Sequence, residues 1–165
     1  MKFQPVHRIT FRTVLFNWDG TKQFVAEADR IIDSLGPVRV CAVHTLPHES
    51  IYSYVALCER GNRSNWLEEN LRAKFREVTK GLSNFDSIEP MLLFGDKINE
   101  LVRCANRIKA DFLLTPPFEQ SSFSKWIHGD LNVKLKSKAN GKVVLLGSQT
   151  PALNFSREVE APAET

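Results

Sequence analysis

Five short apolar runs recur along the chain, and segments with a helical period separate them. The runs span residues 13–18, 38–44, 88–94, 111–115 and 142–146. Apolar runs of this length, bounded by turn residues, are typical of strands that are buried on both faces of a sheet. The pattern predicts a single doubly wound α/β sheet of five parallel strands in the order 3-2-1-4-5, with right-handed crossovers and helices on both faces.

The segments between the runs carry apolar residues three or four positions apart, which places them on one face of a helix. The first helix is predicted to have Thr21 as its N-cap and to end at Gly36-Pro37. Asp96 is positioned to cap a later helix. Residues 116–124 are predicted to form a polar loop, followed by one helix that carries Ile127, Leu131 and Leu135.

Length and composition favour one globular domain. The chain has 165 residues, of which 42% are hydrophobic and 25% charged, as in ordinary globular proteins. We expect the α/β domain to span residues 1–147. Residues 148–165, which contain Pro151 and Pro162, are predicted to form a partly disordered C-terminal tail.

Charge and hydropathy argue against two kinds of partner. A formal net charge of +3 is small for a nucleic-acid-binding surface, which needs clustered Lys and Arg. No apolar run approaches the roughly 18 residues of a membrane helix. We therefore expect neither nucleic acid nor membrane as a partner. The lysines at 134, 136, 138 and 142 are interpreted as a solvated face, with an acidic partner as the alternative.

The residues that commonly carry catalysis or bind metals do not form a pattern. Cys41, Cys58 and Cys104 lack C-x-x-C spacing and are interpreted as thiols in a reducing, cytoplasmic environment. The histidines have no ligand spacing, and the serines at 121–124 lie in no G-x-S-x-G turn. The sequence thus predicts no catalytic residue and no metal site.

The turns at the ends of the runs resemble those of the universal stress protein family. The first strand ends in Asp19-Gly20-Thr21, where the family has Asp-Gly-Ser, and the second ends in His44-Thr45, where the family often has His and an aliphatic residue. Gly95-Asp96 opens a helix as in the family, and Gly129 precedes a last helix that leads to a Val-rich strand. These markers occur in order over nearly the whole chain.

Nucleotide-binding members of that family carry a glycine pattern after the fourth strand: Gly, two residues, Gly, nine residues, then Gly followed by Ser or Thr. Such glycines let backbone amides approach phosphate oxygens. Here Thr115 and Phe118 stand at the first two glycine positions, and Pro116-Pro117 between them lack amide donors. Gly129 stands one residue late at the third, and Asp130 replaces the hydroxyl with a charge that repels phosphate. The resemblance therefore implies a degraded phosphate loop.

Five residues match positions of the family's nucleotide site: Asp19, Thr45, Thr115, Gly129 and Asp130. By the resemblance, Asp19 would lie near the adenosine and Thr45 would line the same pocket. Structural alternatives exist for four of them, since Thr45 at a strand end needs no ligand. Asp19 can hold the turn before the first helix, Gly129 can simply precede a helix, and Asp130 can interact with the helix dipole.

The resemblance implies a non-enzymatic stress-response module that acts through dimerisation and partner binding, with weak or no ATP binding and no cofactor. Homodimers of the family pair their final strands, here residues 142–146, and further protein partners are not identified by the sequence. The alternative is an adenine-nucleotide-binding switch or weak ATPase with an altered phosphate loop, which would bind AMP or ATP weakly.

Overall fold

The computed structural model describes residues 11–47 and 66–147. The predicted partly disordered tail at 148–165 lies outside the described residues, as do residues 1–10 and 48–65 of the predicted domain. Within the described ranges, no helix is both long enough and apolar enough to cross a membrane.

The described residues form one five-stranded sheet in the order β3-β2-β1-β4-β5, and all neighbouring strands are parallel. This confirms the predicted sheet and its strand order. The strands are β1 (Arg12–Asn17), β2 (Val38–Leu46), β3 (Met91–Phe94), β4 (Phe112–Thr115) and β5 (Lys142–Leu145). The α-helices are α1 (Val25–Ser34), α2 (Trp66–Thr79), α3 (Lys97–Ile108), α4 (Ser122–His128) and α5 (Leu131–Lys138).

The two faces of the sheet carry separate apolar clusters. Val14 and Phe16 of β1 pack with residues of α1 and α2. Leu15, between them, packs with residues of α3 and α5. Because alternate side chains of a strand point to opposite faces, β1 is covered on both sides, and Val14, Leu15 and Phe16 are all fully buried. Helices therefore lie on both faces, as predicted.

Of two helix caps predicted from the sequence, the structure confirms one and shows that the other is wrong. Asp96 caps α3, since its Oδ1 accepts a hydrogen bond from the Asn99 amide at 2.9 Å. Thr21 is not the N-cap of α1, because that helix begins at Val25 and its cap position, Phe24, makes no side-chain hydrogen bond. The Thr21 side chain bonds to Asp19 instead.

The single last helix predicted from the sequence is wrong. The structure has two helices there, α4 and α5, separated at Gly129, which has a φ of +75°. Ile127 belongs to α4 and is half exposed, whereas Leu135 of α5 is fully buried. The apolar spacing that joined Ile127 to Leu135 therefore crosses a break in the backbone that only Gly adopts easily.

Replacing Asp96 by Ala is expected to lower the free energy of unfolding by about 1 kcal/mol, because the first turn of α3 loses its side-chain acceptor. Asp96→Asn keeps an acceptor oxygen and should cost clearly less. Urea unfolding of both variants measures the difference. Equal stabilities of the Ala and Asn variants would contradict the capping role.

Candidate functional site

A cleft of about 690 Å³ opens at the carboxyl ends of the central strands. In open parallel sheets this edge, where the strand order reverses, is the usual ligand position. Here the reversal lies between β1 and β4. The wall includes residues from the ends of β1, β2 and β4 together with Lys97 at the start of α3: Asn17, Trp18, Asp19, His44, Thr45, Pro116, Pro117, Phe118 and Lys97.

The turn after β1 is held by the side chain of Asp19. Its Oδ1 accepts hydrogen bonds from the Thr21 amide at 2.9 Å and from the Thr21 hydroxyl at 2.7 Å. Gly20 between them has a φ of +92°, which suits glycine. Asp19 thus performs the structural role that was the alternative to ligand binding, and it also lines the cleft.

Trp18 fills the base of this turn and is 1% exposed. Its indole Nε1 donates to the Thr21 carbonyl at 2.7 Å, and its ring packs edge-on against Phe75 at 5.2 Å. The Trp18 carbonyl accepts from His44 Nδ1 at 2.6 Å. Since a carbonyl cannot donate, this contact places the His44 ring proton on Nδ1. The indole therefore fixes the shape of one wall of the cleft.

The end of β2 extends further than the sequence predicted. The strand runs to Leu46, so Thr45 lies within it and pairs in register with Leu93 of β3. The Thr45 side chain is buried and contributes to the wall of the cleft, next to His44. The structure thus brings Thr45 and Asp19 to one cleft.

Thr115, the third predicted site residue, is fully buried and is not among the residues that line the cleft. Its hydroxyl donates to the Pro116 carbonyl at 3.0 Å and accepts from Asn17 Nδ2 at 2.9 Å. This pair ties the end of β4 to the end of β1. Thr115 therefore stabilises the floor of the site from inside the sheet.

Gly129 and Asp130 form the start of α5. Asp130 is its N-cap, and Oδ1 accepts from the amides of Asn132 at 2.8 Å and Val133 at 3.4 Å. These bonds hold the pKa of Asp130 below its ordinary value, and the bond from the Asn132 amide has the largest effect. Its other oxygen lies 3.8 Å from Lys125 Nζ. Neither Gly129 nor Asp130 is among the cleft-lining residues.

Two amide side chains that the sequence analysis did not single out close the loop between β4 and α5. Gln120 Oε1 accepts from the Leu131 amide at 2.8 Å, and Asn132 Oδ1 accepts from the Phe118 amide at 2.8 Å. Asn132 Nδ2 also donates to the Phe118 carbonyl at 3.2 Å. The glycine and hydroxyl positions of the sequence give no signal for them, because these contacts depend on how the loop folds back.

The backbone donors at the start of α5 therefore already have acceptors. The amides of residues 131, 132 and 133 all point to side chains of the loop, as does the amide of Phe118. In a phosphate site these donors face the anion. Here a phosphate would have to displace a carboxylate and two amide oxygens.

A second cleft, of about 790 Å³, lies away from this edge. Residues from the end of α2 to Glu89 line it, just before β3 begins. This position is at the amino ends of the strands, opposite the switch point, so we place the candidate site in the first cleft.

The described residues contain no group of three or more His, Cys, Asp or Glu side chains that could hold a metal ion. Cys41 and Cys104 are free thiols, and Cys58 lies outside the described ranges. Burial raises the pKa of Cys104 above its ordinary value, against a smaller lowering by Arg107. At neutral pH its thiol is protonated and thus a weak nucleophile.

Sequence comparison finds no protein-family model and no curated protein that matches this chain. Structure comparison does find similar folds. UspA, the universal stress protein of Lactobacillus plantarum, has a TM-score of 0.57 with 11% identity, covering 84% of this chain and 99% of that one. A universal stress protein solved in complex with cAMP has a TM-score of 0.55 with 16% identity, covering 82% and 95%.

A protein of the universal stress protein family from Burkholderia pseudomallei has a TM-score of 0.50 with 16% identity, covering 82% of this chain and 95% of that one. These proteins match over nearly their whole length, and the strand order observed here is the one predicted from the five apolar runs. The chain has the fold of the universal stress proteins.

Proposed function

We propose that this chain is a universal-stress-protein-like module that is non-enzymatic and acts through homodimerisation and partner binding, without tight ATP binding. The observation that carries the proposal is the closed loop between β4 and α5. Its donors are used by Gln120, Asp130 and Asn132, and its first residues, Pro116 and Pro117, have no amide hydrogen to offer.

Catalysis of ATP hydrolysis would need a positioned γ-phosphate and groups that stabilise the charge that develops on it. Among the residues that the structure describes, the wall of the cleft has one lysine, Lys97, and two carboxylates, Asp19 and Glu119. With the loop amides already bonded, this wall offers little to offset the charge of a triphosphate. An enzymatic role is therefore the weaker hypothesis.

A second candidate function is weak binding of an adenine nucleotide with few phosphates. Two observations favour it: the cleft brings Asp19 and Thr45 together, and one protein of the same fold was solved in complex with cAMP. In such binding the nucleoside would make most of the contacts. Calorimetric titration with ATP and with AMP separates the two candidates, as developed below.

Dimerisation is proposed through the outer edge of β5. In the described residues β5 pairs only with β4. The Lys142 amide donates to the Asp111 carbonyl, just before β4, at 3.0 Å, and the Leu146 amide donates to the Thr115 carbonyl at the end of β4 at 2.9 Å. Because alternate residues of a strand direct their amides to opposite sides, the Val143 amide points to the outer edge. An open edge of this kind is a template for pairing with another strand.

Replacing Val143 by Pro is expected to shift the protein from dimer to monomer, since it removes an outward amide and leaves the bonds to β4 in place. Val143→Ala is the matched control, because it trims the same side chain and keeps the amide. Light scattering after gel filtration measures both masses. A wild-type monomer at high micromolar concentration, or a Pro variant that dimerises like the Ala variant, would contradict this interface.

A further inference from the structure

Four large apolar side chains lie exposed on α4 and α5, and we call them the apolar patch: Phe123, Trp126, Ile127 and Val133. Their exposed fractions are 69%, 81%, 50% and 63%. No residue of α4 is buried. An isolated exposed apolar residue is ordinary, but a contiguous group of this kind marks an interaction surface.

The part of the patch that lies on α4 is continuous. Phe123, Trp126 and Ile127 stand at positions i, i+3 and i+4, and thus on one face of α4. The Phe123 and Trp126 rings stack with centroids 6.2 Å apart and an interplanar angle of 29°. The two rings therefore present one apolar surface.

The segment that carries the patch is strongly basic. Residues 121–142 contain five lysines and one carboxylate, Asp130, for a formal charge of +4, although the whole chain carries only +3. Asp130 lies 3.8 Å from Lys125 and caps α5. Lys136 is exposed in the last turn of α5. This excess charge selects an anionic partner.

Three kinds of occupant can be compared with these features. A second copy on a symmetric contact would bring like charges together, which is unfavourable. Single-stranded nucleic acid stacks on aromatic rings, but Ile127 and Val133 offer it no ring. A lipid surface accommodates both aromatic and aliphatic side chains, and anionic headgroups attract the lysines.

We propose that the apolar patch binds the surface of anionic lipid bilayers, with Trp126 and Phe123 inserted at the level of the headgroups and the lysines of α4 and α5 beside them. The absence of a long apolar run led us to expect no membrane partner, but peripheral binding requires only an exposed face. This binding is independent of the cleft and of the function proposed above.

Flotation with vesicles of phosphatidylcholine containing about 30% phosphatidylserine tests the proposal. We expect the full-length protein to float with these vesicles, to remain unbound with pure phosphatidylcholine, and to be released by high salt. Trp126→Ser should weaken the partition coefficient about tenfold or more, through lost apolar burial. Lys136→Ser should weaken it about fivefold.

Two matched controls lie away from the patch. Met91→Ser removes an exposed apolar side chain from the opposite edge of the sheet, and Lys80→Ser removes an exposed lysine beyond the end of α2. Both should bind vesicles like the wild type. No binding to the anionic vesicles, or equal losses in patch and control variants, would overturn the proposal. Patch-dependent binding of a single-stranded oligouridine without vesicle binding would replace the lipid by nucleic acid.

Discussion

Calorimetric titration with ATP and Mg²⁺ is expected to show no binding in the micromolar range, and AMP should bind at least as tightly as ATP. Each lost phosphate hydrogen bond of the charged kind is worth ~1.5–3 kcal/mol, so the loss of two or three weakens binding by several powers of ten. A dissociation constant for ATP in the low micromolar range would contradict the closed loop and favour the nucleotide switch.

Asp130→Ser provides the informative variant for this titration. A serine caps helices as well as an aspartate does, so α5 should persist, while the negative charge at its start is removed. We expect ATP affinity to rise only modestly, because Pro116 and Pro117 and the acceptors from Gln120 and Asn132 remain. AMP affinity should change less than ATP affinity, since Asp19 and Thr45, the residues proposed to contact the nucleoside, line the cleft and Asp130 does not.

Trp18→Ala is expected to destabilise the fold by about 3–5 kcal/mol, the usual cost of emptying a buried aromatic site. The side chain is 1% exposed, packs against Phe75 and donates to the Thr21 carbonyl. Trp18→Phe should cost less, because it keeps a ring and loses the hydrogen bond. Urea unfolding followed by far-UV circular dichroism gives both values.

Trp126→Ala is the matched control for this measurement, since it removes the same side chain from an 81% exposed position. Its effect on the free energy of unfolding should stay within about 0.5 kcal/mol. A similar loss of stability at both positions would show that the burial of Trp18 is not the source of its effect.

The sheet could be predicted from the sequence because each strand is a short apolar run that local residues delimit. β4 illustrates this: Phe112, Leu113 and Leu114 are all buried, and the turn residues around them fix where the run ends. Asp96 is equally local, since a cap and its helix are neighbours in the chain. The strand order was predicted as the simplest arrangement of the five apolar runs, and the rules for parallel crossovers added the right-handed connections.

The break between α4 and α5 and the closure of the loop could not be predicted in the same way. Ile127 fits the helical period of Leu131 and Leu135, and only the backbone at Gly129 shows that it belongs to another helix. The partners of Gln120 and Asn132 lie 11 to 14 residues away. Periodicity carries no information about such contacts.

The side chains that close the loop also compete with a phosphate for the loop amides, and the chain itself tethers them there. Gln120, Asp130 and Asn132 are held beside the amides of residues 118 and 131–133 by the chain itself. A tethered group has an effective concentration of the order of millimolar or more. A free phosphate therefore competes against acceptors that never diffuse away, and one substitution removes only one of them. A tight ATP site could therefore be introduced here only by several simultaneous changes in this loop.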